Sequence, residues 1–208
     1  DNALDYFDKA YSIDKELGND KDIVKDLNNF GETFRRKGLI SGNKKDFNSA
    51  KYYFMQSLNL IKKIGDKKTE TRVLNNIGSV YNELKQYNEA MKYFDLSYKK
   101  AEEMQDNESM AMILTNIGYV YFNKRNYEEA TKYYEKAINL ALGKSQILWE
   151  AYMESGRAYE KQNQFQKALD SFYNSIETIE KIRSSIDLEA DKAKYLGTDK
   201  RIDAYHYY

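Results

Sequence analysis

Small and aromatic residues recur along the chain at helical spacing. Asn76-Ile77-Gly78-Ser79-Val80-Tyr81 returns as Asn116-Ile117-Gly118-Tyr119-Val120-Tyr121, a period of 40 residues. Glycine and tyrosine three apart share one face of a helix. Twelve residues past each glycine stands Ala90 or Ala130, then Phe94 or Tyr134, then Ser97 or Ala137. Their i, i+4, i+7 spacing predicts a second helix with its own packing face. The ladder continues as Gly156, Tyr159, Ala168, Phe172 and Ser175, and begins earlier as Gly31, Phe34, Ala50, Phe54 and Ser57. Each round predicts a helical hairpin in which the small residue admits close approach and the aromatic fills the gap beside it. Ala3, Phe7 and Ala10 repeat the second-helix pattern with no first helix before them.

This ladder resembles the tetratricopeptide repeat family, in the long-repeat variety of kinesin light chains and cell-polarity adaptors. The resemblance implies an all-α, right-handed superhelical solenoid of antiparallel helix pairs, about eleven helices in all. Its divisions are a truncated unit at 1–18, full units at 19–65, 66–105, 106–143 and 144–186, and the start of a further truncated unit at 187–208. The period of 40 or 38 exceeds the family's usual 34, and the chain has no proline to close the second helices. Gly18-Asn19-Asp20, Gly65-Asp66 and Gly143-Lys144-Ser145 supply the stops instead. From Gly31 to Ala50 is 19 residues rather than twelve, and the extra seven, around Leu39 to Lys45, are expected to lengthen that hairpin loop. The half-units at both ends, and the absence of an initiator methionine, are those expected of an excised fragment.

Charge and composition narrow the function. Lys+Arg and Asp+Glu are both 33, so no overall basic field draws in nucleic acid or an anionic membrane. No apolar run is long enough for a membrane span or a signal-peptide core. There is no cysteine and one histidine, His206, so neither a thiolate zinc site, nor a two-histidine metal site, nor a catalytic triad can be assembled. A phosphate-binding glycine loop is also missing. The chain is expected to hold no metal or cofactor and to catalyse nothing itself. Carboxylate pairs such as Glu128-Glu129 read as solvated helix faces. Tyr81, Tyr121, Tyr159, Phe94, Tyr134 and Phe172 read as core. Trp149, one period after Ala111, reads as packing between repeats.

What remains is the other face of each first helix. With Leu74, Ile77, Gly78 and Tyr81 turned inward, Arg72, Asn75, Asn76, Ser79, Asn82 and Glu83 are expected to line the groove. Asparagine stands two before the glycine as Asn29, Asn76 and Asn116, and Glu154 breaks the row. An amide offers a donor and an acceptor, the two groups an extended backbone needs. Relatives of the family hold a partner's main chain with asparagine at this position. By that resemblance Asn29, Asn76 and Asn116 form a ladder for a protein or peptide in the concave groove. Asn28, Asn75, Arg35, Arg36, Arg72, Tyr119, Phe122, Arg157 and Lys161 then select its side chains. The competing reading is that these amides simply bond to neighbouring helices in a crowded polar groove. Arginines favour acidic partner groups, while Glu32, Glu83, Glu154 and Glu160 make the groove mixed in sign.

Past Ser175 the rhythm changes. An Ile-Glu-Lys-Ile-Arg helix end at 179–183 leads to an acidic link at 187–191, a Lys-x-x-Tyr-Leu segment and Ala204-Tyr205. This order resembles the junction at which bacterial tetratricopeptide repeats precede a CHAT domain, a caspase-like peptidase module. That implies the regulatory arm of a cytoplasmic bacterial protease, with an RNA-guided effector protein as a partner in some relatives. Abundant Lys, Asn, Ile and Tyr fit an AT-rich bacterial gene. The alternatives are a stand-alone adaptor or scaffold, and the sensor region of a signalling kinase.

Overall fold

The computed structural model describes residues 2–141 and 145–184; the side chains of 2–5, 7, 145 and 146 lie outside that description. Nine helices and no strand occur among the described residues: α1 (Asn2–Leu17), α2 (Asp20–Ser41), α3 (Lys44–Ile64), α4 (Lys67–Glu83), α5 (Tyr87–Glu103), α6 (Asn107–Asn123), α7 (Tyr127–Leu140), α8 (Ser145–Lys161) and α9 (Phe165–Ser184). The two further helices counted toward eleven were placed at 187–208, outside the described residues, as are Gly143, Lys144, His206 and the side chains of Ala3 and Phe7. The chain divides into two compact units, Asp1–Met104 and Gln105–Tyr208.

In the first unit α2 pairs with α3 and α4 with α5, while α1 packs on α2 and α3 on α4. In the second, α6 pairs with α7 and α8 with α9. Each pairing is set by the repeated glycine. A Cβ built on Gly31, Gly78 or Gly156 would stand 2.6 Å from a ring carbon of Phe54, Phe94 or Phe172 respectively, and one on Gly118 would run into Tyr134. The aromatic four residues past the repeated alanine therefore lies against the bare backbone of its partner helix, where a side chain would hold the helices apart. Phe54, Phe94 and Tyr134 are wholly buried there. Three residues on, Ser97 and Ser175 add a cross-helix bond, their hydroxyls donating to the carbonyls of Thr71 and Trp149 at 2.7 and 2.8 Å.

Helix ends follow local chemistry. Gly18, Gly42 and Gly65 take φ of 66°, 67° and 80°, the left-handed turn that a Cβ disfavours. The Asp66 and Asp106 carboxylates accept the N–H of Thr69 and Ser109 and so cap α4 and α6.

Three expectations need correction. The seven extra residues near 39–45 do not form a long loop: α2 runs to Ser41, α3 starts at Lys44, and only Gly42 and Asn43 join them. The addition is one more turn on each helix, and it creates a second close pair, with a Cβ on Gly38 only 2.8 Å from the Phe47 ring. Tyr81 and Tyr121 are half-buried rather than core; each stacks on a tyrosine of the following helix, Tyr93 at 5.3 Å and Tyr133 at 5.2 Å. Trp149 packs inside its own hairpin, with Met153, Ile179 and Ile182, rather than between repeats.

Candidate partner-binding cleft

The polar stripe of α2 forms one wall of a cleft in the first unit. Lys21, Lys25, Asn28, Asn29, Glu32, Arg35 and Arg36 follow one another at steps that keep them on one side of the helix. Asp66, which caps α4, and Thr69, Arg72 and Asn76 of α4 also line the cleft, and Val24 and Ile61, each 2% exposed, contribute the apolar part. The cleft encloses ≈ 700 Å³. Six of the residues expected to bind a partner, Asn28, Asn29, Arg35, Arg36, Arg72 and Asn76, are thereby brought together.

Both carboxylates of the cleft are engaged. Glu32 accepts bonds from Arg35 Nε and Nη2, each at 2.9 Å, and from Arg36 Nε at 3.0 Å. Burial works against its charged form, but the hydrogen bonds and charge of the two arginines outweigh it and hold the Glu32 carboxyl below the usual range. Asp66 is held low chiefly by the Thr69 hydroxyl, 2.7 Å away, with help from backbone N–H groups and the Arg72 charge. Asn28 donates through Nδ2 to the Val24 carbonyl at 3.0 Å, and its Oδ1 is enclosed with no partner.

Asn75 does not line the groove. It is 5% exposed, as is Asn82 at 4%. They stand three residues before and four after Gly78, so they share the glycine's inward face.

In the second unit, the predicted residues make a different arrangement. Tyr119 and Phe122 of α6 lie 6.3 Å apart, and the Arg157 guanidinium of α8 stands 5.4 Å over the Phe122 ring. Beneath it Glu154, fully buried, holds Arg157 Nη1 at 3.3 Å. The Tyr134 hydroxyl is also enclosed here; burial and then the Glu154 charge push it well above the ordinary tyrosine range. Asn116 is half-buried on α6, and Lys161 is exposed on α8.

Two cations of the cleft, Lys21 and Lys25, escaped sequence reasoning because the glycine–aromatic ladder of full units begins only at Gly31. Their signal was the four-residue step onto Asn28, Asn29 and Glu32. Among the described residues no group of three or more His, Cys, Asp or Glu is placed to hold a metal ion. No described helix is long and apolar enough to cross a membrane.

Residues 71–107 and 109–181 match family models of the tetratricopeptide repeat. No curated protein sequence matches. Among solved structures, BtubC (BKLC) from P. vanneervenii is similar over 98% of this chain and 82% of its own, at 16% identity and a TM-score of 0.70. The apo form of RapI matches 98% of this chain, at 16% identity and a TM-score of 0.67, and this chain spans 56% of RapI. MamA matches at 22% identity and a TM-score of 0.57, over 88% of this chain and 94% of its own. At these identities the likeness is one of fold, the all-α stacking of antiparallel helix pairs. The pairs Gly78–Phe94, Gly118–Tyr134 and Gly156–Phe172 fall within the matched residues: the chain carries tetratricopeptide repeats at 71–107 and 109–181.

Proposed function

We propose that the chain is a non-catalytic protein-interaction module that holds an extended segment of a partner protein, with Asn29 and Asn76 bonding its main chain in the first unit and Asn116 in the second. The observation that carries this reading is the cleft itself. Asn29 and Asn76 stand at matching repeat positions on α2 and α4 and line one ≈ 700 Å³ space. An extended backbone needs a donor and an acceptor from each contact, and a side-chain amide supplies both. Arg157, poised on Phe122, is the group that reads a partner side chain in the second unit.

Selection of a random peptide-display library on the full chain tests this. Enriched peptides should lose about tenfold or more in affinity when Asn29, Asn76 and Asn116 are together changed to Ala, with helicity unchanged by circular dichroism. Retained affinity would move the site elsewhere.

A narrower form of the reading makes the module the regulatory arm of a bacterial CHAT protease in the cytoplasm. It rests on the residue order at 179–205. The sequence of the native gene product past Tyr208 decides it: an α/β domain with a paired His and Cys supports the protease arm, and further repeats alone support an adaptor.

A further inference from the structure

We propose that the tip of the α2–α3 hairpin is a contact point for an anionic lipid bilayer, with Leu39 and Ile40 entering the headgroup layer and Lys37, Lys44 and Lys45 engaging its phosphates. This contact lies at the end of the hairpin and does not depend on what the cleft holds.

The tip is longer than its neighbour's. Past Gly31, α2 runs ten residues to Ser41, whereas α4 runs five past Gly78 to Glu83. On the return, α3 begins six residues before Ala50, and α5 three before Ala90. The added residues lengthen the first hairpin by about 5–8 Å over α4–α5. Gly38 faces Phe47 there, so Ile40, two residues on and about 200° round the helix, points away from α3. Ile40 is 88% exposed, and Leu39 beside it 49%. Neither joins the core cluster of the first unit, although Leu84, just past the end of α4, packs on it.

The charge around this pair is one-sided. In a chain whose cations and carboxylates are equal in number, residues 33–45 hold Arg35, Arg36, Lys37, Lys44 and Lys45 and no carboxylate. Glu32 engages the two arginines. The three lysines are exposed and take part in no ion pair among the described residues. Asp46, next along the chain, is 8% exposed and accepts the Ser41 hydroxyl at 3.0 Å, so its carboxylate is largely withdrawn from the surface.

Single exposed apolar residues are ordinary on protein surfaces. Two adjacent ones on the convex end of a hairpin, bordered by cations, suit a headgroup layer: lipid buries the apolar pair, and the lysine stems extend until their ammonium groups meet phosphate. An acidic protein would satisfy the lysines but leaves the apolar pair at the hairpin's end unexplained; a bilayer serves both.

Co-flotation of the full chain with lipid vesicles tests this. Vesicles of equal phosphatidylglycerol and phosphatidylcholine, at roughly millimolar lipid and moderate salt, should bind the chain about tenfold or more better than phosphatidylcholine alone. Lys44→Glu with Lys45→Glu should weaken binding by about tenfold or more, while Lys62→Glu with Lys63→Glu, the same charge change at the other end of α3, should leave it within about twofold. Ile40→Ser should weaken it by about fivefold. All these positions are exposed, so circular dichroism should show unchanged helicity. The chain has no cysteine, so Ile40→Cys can carry an environment-sensitive dye, whose emission should rise and shift to the blue on the anionic vesicles and not on polyglutamate. Failure to float with anionic vesicles overturns the proposal. Binding that ignores Ile40, with the dye unmoved, overturns insertion and leaves only adsorption by charge. Polyglutamate bound through Lys44 and Lys45 as tightly as the vesicles, again with the dye unmoved, overturns it in favour of an acidic protein.

Discussion

Replacing Gly78 with alanine sets two effects of opposite sign against each other. In an exposed helix interior the change stabilises by about 1 kcal/mol, because alanine loses less backbone entropy. At Gly78 the new Cβ would stand 2.6 Å from Cε1, 2.7 Å from Cδ1 and 3.0 Å from Cζ of Phe94. Phe94 is 0% exposed, so its ring has no free side toward which to withdraw. Overpacking of this kind costs about 1–3 kcal/mol, and the net expectation is a loss of about 1–2 kcal/mol. Changing Phe94 to leucine removes Cε1 and Cζ, and on that background Gly78→Ala should be neutral or stabilise by up to about 1 kcal/mol. Urea denaturation of the four proteins, followed by circular dichroism and read as a double-mutant cycle, should give a coupling of about 1 kcal/mol or more with unchanged m-values. A substitution that destabilises both backgrounds equally would refute the ring contact as the cause. One that stabilises the unmodified chain would show that the helices part without cost.

Asp26, 6% exposed on α2, has its carboxyl held above the usual range by burial first, then by the hydrogen bond and charge of Asp14 on α1, with Asp22 adding and Lys25 opposing. A raised folded-state pKa means that its contribution is intact below the unfolded value and drains away as pH rises through the folded one. Asp26→Asn should therefore stabilise the first unit by about 1 kcal/mol near neutral pH and by nothing near pH 3 (roughly); a gain independent of pH in thermal melts would exclude the carboxyl as its source. Trp149 is the sole tryptophan and is 9% exposed, so its emission should be blue-shifted and should report the second unit alone. Trp149→Phe should lower stability by about 1–3 kcal/mol in urea melts, and an unshifted transition would show that the Met153, Ile179 and Ile182 cluster does not support the hairpin.

The hairpins were legible because one geometric demand fixes several residues at once. Where Gly78 must lie against Phe94, the turn and both helices fix the distance between them, and the same requirement recurs at Gly118 and Gly156. The extra residues at 39–45 misled for a local reason: Ser41-Gly42-Asn43-Lys44-Lys45 has the composition of a loop, yet only two of those residues leave the helices. Asn75 misled for a different one. Angular position was assigned from its neighbour Asn76, although its three-residue offset from Gly78 turns it toward the core. Tyr81 sits at the right angle for burial but at the end of its helix, where Tyr93 covers one ring face and Lys51 stands 5.3 Å from the ring. Lys21 and Lys25 belong to the part of α2 that precedes the small-residue ladder. The pairing of Glu32 with both arginines, which decides the sign of the cleft, depends on side-chain positions that sequence spacing leaves open.

The lengthened α2–α3 hairpin also limits what lengths this architecture accepts. Between Gly31 and Gly38 there are seven residues, two helical turns, and between Phe47 and Phe54 there are seven more, so the inner pair repeats the outer one farther up the hairpin. An insertion at the tip is divided between two antiparallel helices, and each must receive about a whole turn for its next residue to face inward again. Growth is therefore stepwise, in increments of about seven residues, one turn on each helix, while the two glycine–ring pairs of this hairpin stand two turns apart on each helix. An insertion of one or two residues would have to be absorbed in the Gly42-Asn43 link or would rotate Phe47 off the Gly38 backbone. Length variation at this tip thus behaves as a vernier whose single graduation is about one turn on each helix.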